Sequence, residues 1–154
     1  MMRSLIFGVL IALSAASCQQ GVIYTQTLDL PLGKWQADQV LETQFESPDT
    51  TRNYDLFLDI NHSEEYHYEN VYLQIETLFP HKDPVTQVLP IDLADKKGKW
   101  HGKCGGGDCD LRVVLKQQIK FQAVGDYQIN ISQYSRDASL DGINGLEFSV
   151  VESD

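Results

Sequence analysis

The amino-acid sequence predicts an all-β protein: a single antiparallel β-sandwich of about eight strands, with jelly-roll or immunoglobulin-like topology. Three observations carry this. Apolar residues recur at every second position through most of the chain after Ser17, and helical periodicity is hard to find there. Turn-forming clusters rich in Pro, Gly and Asp separate these runs at spacings of about ten to fifteen residues. Setting aside residues 1–17 of the 154 leaves 137, enough for one hydrophobic core and not comfortably for two.

Residues 1–17 read as a cleaved signal peptide for Sec export. Arg3 supplies the positive start, and the apolar run 5–13 is too short to cross a bilayer, which needs about 20 residues in a helix. Ala15, Ala16 and Ser17 are small enough for the subsites of a signal peptidase, and Cys18 follows where a lipoprotein needs its thiol. An ordinary secretory signal cut near Ser17 is the alternative, because lipoprotein boxes usually place Leu where Ala15 stands. Acylated Cys18 would tether the chain to the lipid bilayer, since each buried methylene contributes about 0.8 kcal/mol. Residues 18–21 then form a short tether and 22–154 the sandwich. Gln19 and Gln20 follow the cysteine, with neither an acidic run nor an adjacent aspartate, so the expected location is the outer membrane, facing the periplasm.

Along the sandwich, residues 22–27 and 40–46 read as strands, the second with Leu41, Thr43 and Phe45 aligned. In 53–62, Tyr54, Leu56, Leu58 and Ile60 share one face and Asp55, Asp59 and Asn61 the other, with Phe57 interrupting the polar side. In 70–79, Val71, Leu73, Ile75 and Phe79 align opposite Gln74 and Glu76, and the two segments pair as a hairpin across a polar and aromatic loop. Residues 85–93 form a strand in which Pro90 predicts an edge or a bulge, because proline cannot donate to a ladder. Strands 111–115, 127–133 and 146–151 complete the set. The separators lie at 48–49, 80–84, 95–98, 124–126 and 141–142.

Loss of the leader removes only Arg3 among the charges, leaving 11 basic against 22 acidic residues and a formal charge of −11. Such a surface repels phosphate backbones, so no nucleic-acid partner is expected. Beyond Cys18 two cysteines remain, Cys104 and Cys109 in CGGGDC. In an oxidising compartment an even count with a flexible intervening run reads as a disulfide. A metal site using His101 or Asp108 is the competitor, but zinc sites favour a two-residue gap and a second pair elsewhere.

Catalysis has no support in the motifs: there is no nucleophile elbow, phosphate-cradling glycine loop, HExxH or EF-hand pattern. No enzyme activity, cofactor, metal or small-molecule substrate is expected. His62, His67, His81 and His101 fall on loops and strand ends and read as solvated or turn-bonding imidazoles; Glu64-Glu65 and Asp92 with Asp95 are pairs that an acidic composition produces unaided. Tyr66, Tyr68 and Trp100 are candidate exposed contact aromatics, since rings with a polar handle are enriched at interfaces and carbohydrate platforms; packing of the sandwich is the plainer role for them. Asp49-Thr50-Thr51 matches a short O-glycosylation pattern, making Thr50 a candidate glycosylation site.

Several segments, in order and similarly spaced over most of the mature chain, resemble the GldH-type gliding-motility lipoprotein family of Bacteroidota. They are the lipobox ending at Cys18, NYDLFLDINH, YHYENVYLQIET, LPIDLADKKGKWHGKCGGG and VGDYQINISQYSRDASLDGINGLEFSV. The resemblance implies a non-enzymatic membrane lipoprotein that serves as an accessory or scaffold of the gliding machinery and the linked type IX secretion system, with other gliding or secretion proteins of the envelope as partners. Cys104 and Cys109 are not part of that family pattern, and the family supplies no catalytic residues. A lipid-anchored glycan-binding module is the alternative that the sandwich pattern and aromatics suggest.

Overall fold

A computed structural model describes residues 21–153; Cys18 and the signal peptide lie outside the described residues. Eleven strands form in chain order: β1 (Val22–Asp29), β2 (Lys34–Gln36), β3 (Val40–Ser47), β4 (Tyr54–Ser63), β5 (Asn70–Phe79), β6 (Lys82–Asp92), β7 (Lys103–Gly105), β8 (Asp108–Ile119), β9 (Gly125–Gln133), β10 (Ser139–Asp141) and β11 (Ile143–Glu152). A single turn of 3-10 helix, Pro31–Gly33, precedes β2.

Eight long strands build the sandwich, all pairings antiparallel. One sheet has the order β1-β11-β4-β8-β7 and the other β3-β9-β5-β6, while β10 and β2 make a separate two-stranded ribbon. The first strand lies beside the last, and the chain passes between sheets as a jelly roll does. An immunoglobulin order would group the strands differently. The three additional strands have three residues each, too short to show an alternation in sequence.

Alternation is what places the core. On β4 the residues Tyr54, Leu56, Leu58, Ile60 and His62 are all buried, and their neighbours are not. Leu146, Phe148 and Val150 of β11 lie alongside them, and Val71, Leu73 and Ile75 of β5 face them from the other sheet. A one-residue slip would turn each of these sets to solvent, so burial fixes the register. Aromatic rings fill one end: Phe45 lies 5.7 Å from Phe121 and Tyr127 and 5.8 Å from Phe148, centroid to centroid. Trp35 of β2 plugs the other end with no exposure, its indole N–H donating to the Gln39 carbonyl at 3.0 Å. Phe57 on the outer face of β4 lies under the Arg112 guanidinium at 5.1 Å, and Arg112 pairs with Asp59 at 2.7 Å. Pro90 sits on β6, an edge strand, where its missing N–H costs no ladder bond.

The strands define two poles. At one, the carbonyl of Gly21 accepts from Glu152 N–H, and the 47–54 loop is latched beside it. The buried Tyr54 hydroxyl donates to Asp49 Oδ2 at 2.6 Å, and the N–H groups of Arg52 and Thr51 donate to Asp49 Oδ1. Arg52 in turn reaches Glu152 at 2.9 Å. At the opposite pole are the 63–70 loop, the 93–107 segment and the β9–β10 connection.

Burial, then the bond to Asp49, pushes the Tyr54 phenol up to about 12. The same bond and the loop amides hold the Asp49 carboxyl below its ordinary 3.8. A raised phenol contributes stability that is complete below pH 10 and is lost as pH rises toward 12; the lowered carboxyl contributes stability present above 3.8 and lost as pH falls below it. Urea midpoints of the wild-type chain should therefore decline from pH 10 to pH 12. Tyr54→Phe should flatten that decline, and an unaltered slope would show that the latch does not titrate with folding.

Candidate functional site

At the pole away from Gly21, the β4–β5 loop folds back as a turn in which Tyr66 N–H donates to the Ser63 carbonyl at 3.0 Å and Glu65 N–H to Ser63 Oγ at 3.1 Å. This turns Tyr66 inward, so it takes the packing role and not that of an exposed contact: only 5% of the residue is accessible. The Asp141-Gly142 turn packs against its ring. Gly142 has φ +106, and a Cβ there would lie 3.2 Å from a ring carbon, so both conformation and space require glycine. His62, expected as a solvated or turn-bonding imidazole, is fully buried as the last inward residue of β4. Its Nδ1 faces the Ser63 carbonyl at 3.0 Å, which assigns the proton to that nitrogen, and Nε2 has no partner among the described residues.

These rings continue outward as a cluster. The His62 ring lies 4.8 Å from Trp100 and 6.2 Å from Tyr66, and Tyr66 meets Tyr68 edge-on at 5.7 Å. Trp100 is half-buried and donates its indole N–H to the Glu64 carbonyl at 3.2 Å. Tyr68 is the exposed member of the three candidates, and its hydroxyl donates to Asp137 at 2.6 Å. That bond raises the Tyr68 phenol, while burial, with Tyr68 and Asp137 nearby, raises Tyr66. All of these phenols therefore remain neutral donors at physiological pH.

The cluster opens into a surface cavity of about 790 Å³ whose walls include Tyr66, Tyr68, Tyr72, Tyr134, Arg136 and Asp137. Tyr68, Tyr72 and Tyr134 are 48%, 43% and 56% accessible, so their faces and edges meet solvent. Leu32, 92% exposed at φ +61 between Pro31 and Gly33, adds an apolar tip at the same pole. Sequence reasoning missed Leu32, Arg136 and Asp137. The Pro-Leu-Gly tripeptide was the available signal for Leu32, whereas Arg136 and Asp137 sit in a polar loop that has no pattern.

The remaining predicted positions fall elsewhere. Cys104 and Cys109 are directly paired across β7 and β8 and joined as a disulfide, with Gly106 and Gly107 at φ +69 and +95 forming the two-residue turn between them. Glu64 approaches both sulfurs, the one such group of metal-type ligands among the described residues, but the sulfurs are already bonded to each other. Asp95 serves a turn: the N–H groups of Lys99 and Lys97 hold its carboxyl below the usual range. Thr50 is exposed in the latched 47–54 loop, at the Gly21 pole.

Closing a loop this short restricts the unfolded chain by about 2 kcal/mol. Replacing both cysteines (Cys104→Ser with Cys109→Ser) should lower unfolding free energy by about that amount without changing the far-ultraviolet circular dichroism. Loss of the β signal would instead make the hairpin essential to the sandwich.

Among proteins similar to this chain is the gliding motility lipoprotein GldH homolog of Christiangramia forsetii, 29% identical over 133 residues, covering 86% of this chain and 81% of the relative. The gliding motility lipoprotein GldH of Flavobacterium johnsoniae is 23% identical over 127 residues, covering 78% and 79%. Among solved structures, the family GH115 4-O-methyl-alpha-glucuronidase BtGH115A aligns with 99% of this chain at a TM-score of 0.41 and 12% identity, and this chain spans 20% of that protein's length. The family model described as GldH lipoprotein matches residues 22–150, nearly the whole sandwich. The chain belongs to the GldH lipoprotein family, whose members are membrane-anchored lipoproteins.

Proposed function

We propose that this protein is a non-enzymatic scaffold of the gliding machinery and the linked type IX secretion system, held by acylated Cys18 on the periplasmic side of the outer membrane. The observation that carries this reading is the polarity of the body. Gly21 leaves the sandwich beside Glu152, so three residues of tether, reaching about 10 Å at most, hold that pole near the bilayer. The ten residues of β4 then carry the chain about 30 Å to the opposite pole. There Leu32, Tyr68 and Tyr134 are presented on loops braced by Gly142 and the buried Tyr66. Rigidly held aromatic and aliphatic side chains are the kind of surface that anchors protein interfaces. The relatives' names connect the family with gliding motility, and the Gln19-Gln20 sequence after Cys18 lacks the aspartate that would retain a lipoprotein at the inner membrane.

A lipid-anchored glycan-binding module is a second reading, favoured by the tyrosine-walled cavity with Arg136 and Asp137 on its rim. It differs from the first in requiring that the purified chain bind oligosaccharide.

In the native host, deletion should impair gliding and secretion of type IX cargo. Complementation with a Tyr68→Ala, Tyr134→Ala double variant should leave at least several-fold less of either activity than the wild-type gene restores, at equal abundance in the membrane. Gliding and cargo secretion both unchanged on deletion would remove the scaffold reading.

A further inference from the structure

A second concavity opens at the Gly21 pole, between the edge strand β6 and the part of β8 that runs beyond its short pairing with β7. It has a volume of about 340 Å³ and reaches the aromatic end of the core, with walls that include Phe45, Leu56, Ile75, Leu115, Phe121 and Phe148. Both sheets contribute, and the buried Phe45, Ile75, Phe121 and Phe148 lie beneath its floor. Every charged residue on its walls is a lysine: Lys82, Lys116 and Lys120. That is a marked departure in a chain with 22 acidic and 12 basic residues. None of the three pairs with a carboxylate among the described residues, and Lys82 Nζ instead lies 5.1 Å over the Phe79 ring at the rim.

An apolar slot with a cationic rim fits one kind of molecule, an amphiphile with a chain and an anion. We propose that the cleft binds a single long-chain fatty acid, its acyl chain along the apolar floor and its carboxylate among the three lysines. Volume favours one chain over the two of a phospholipid. An apolar cavity of about 150 Å³ accepts benzene, so this one takes about a dozen carbons. Charge favours a free acid over the chain's own acyl groups on Cys18, whose ester and amide linkages are neutral and leave the lysines without a partner. Position supplies access, because the cleft opens at the pole from which the tether emerges, beside the membrane where free acyl chains partition.

The test uses the full mature, acylated protein in phosphatidylcholine vesicles containing a diazirine derivative of palmitic acid. After irradiation, labelled peptides are mapped by mass spectrometry. Label should concentrate on peptides carrying Leu115 and Phe121 and be competed by excess palmitate. It should fall at least fivefold with the methyl ester of the probe and in a Lys82→Gln, Lys116→Gln, Lys120→Gln variant. These lysines are exposed, so the variant keeps the fold. Equal labelling by acid and ester, or label unaffected by the lysine changes, would overturn the proposal, as would label confined to residues near the tether.

Discussion

The antiparallel pairing of β1 with β11 is the constraint on which the rest of the molecule depends. It joins the beginning of the sandwich to its end, in register from Tyr24 opposite Val150 to Asp29 opposite Gly145. With β11 also paired to β4, the last strand becomes the interior of its sheet, and its alternating Leu146, Phe148 and Val150 become core. The same pairing decides where the tether departs. Had β1 run the opposite way, the chain before Val22 would depart beside the tyrosine cluster and not at the far pole.

From this follow two poles of different chemistry on one rigid body. The Gly21 pole is fastened by Asp49, Arg52, Tyr54 and Glu152, and its cleft is edged by lysines in an otherwise acidic protein. Lysines placed next to a membrane interface complement anionic groups there, whereas the acidic remainder of the surface is repelled from them. The far pole is organised by burial: Trp35, His62 and Tyr66 fill it, and the exposed Tyr68 and Tyr134 stand on that base. Interior packing there sets the direction of the surface side chains. A loss of packing at Gly142 or Tyr66 would therefore be felt at residues several positions away.

Much of this was legible in the sequence, and the reason is period two. Each long strand was read from alternating residues, and Pro90 was read as an edge or a bulge because its missing donor admits few other positions; the edge is what the sheet order shows. The turns at Asp95-Gly98 and Asp141-Gly142 were equally readable, since glycine is needed where φ is positive. Three-residue strands were not legible, because Lys34–Gln36 and Lys103–Gly105 contain too few positions for any period. Topology was left undecided because neighbouring strands in a jelly roll come from distant parts of the chain. The burial of His62 was not legible, and Tyr66 was left between packing and exposure, because both depend on Gly142 and Trp100, residues far away in sequence, so the local pattern around SEEYHYEN was only polar.

The central claim is that the anchored pole faces the bilayer and the tyrosine pole faces away. Its most direct measurement places a fluorophore at position 50 (Thr50→Cys) or at position 134 (Tyr134→Cys) of the acylated full-length protein on vesicles and reads energy transfer to acceptor lipids. The account predicts strong transfer from position 50 and a site about 30 Å more distant at position 134, the span of a ten-residue strand. Equal transfer from the two positions, or stronger transfer from position 134, would contradict it.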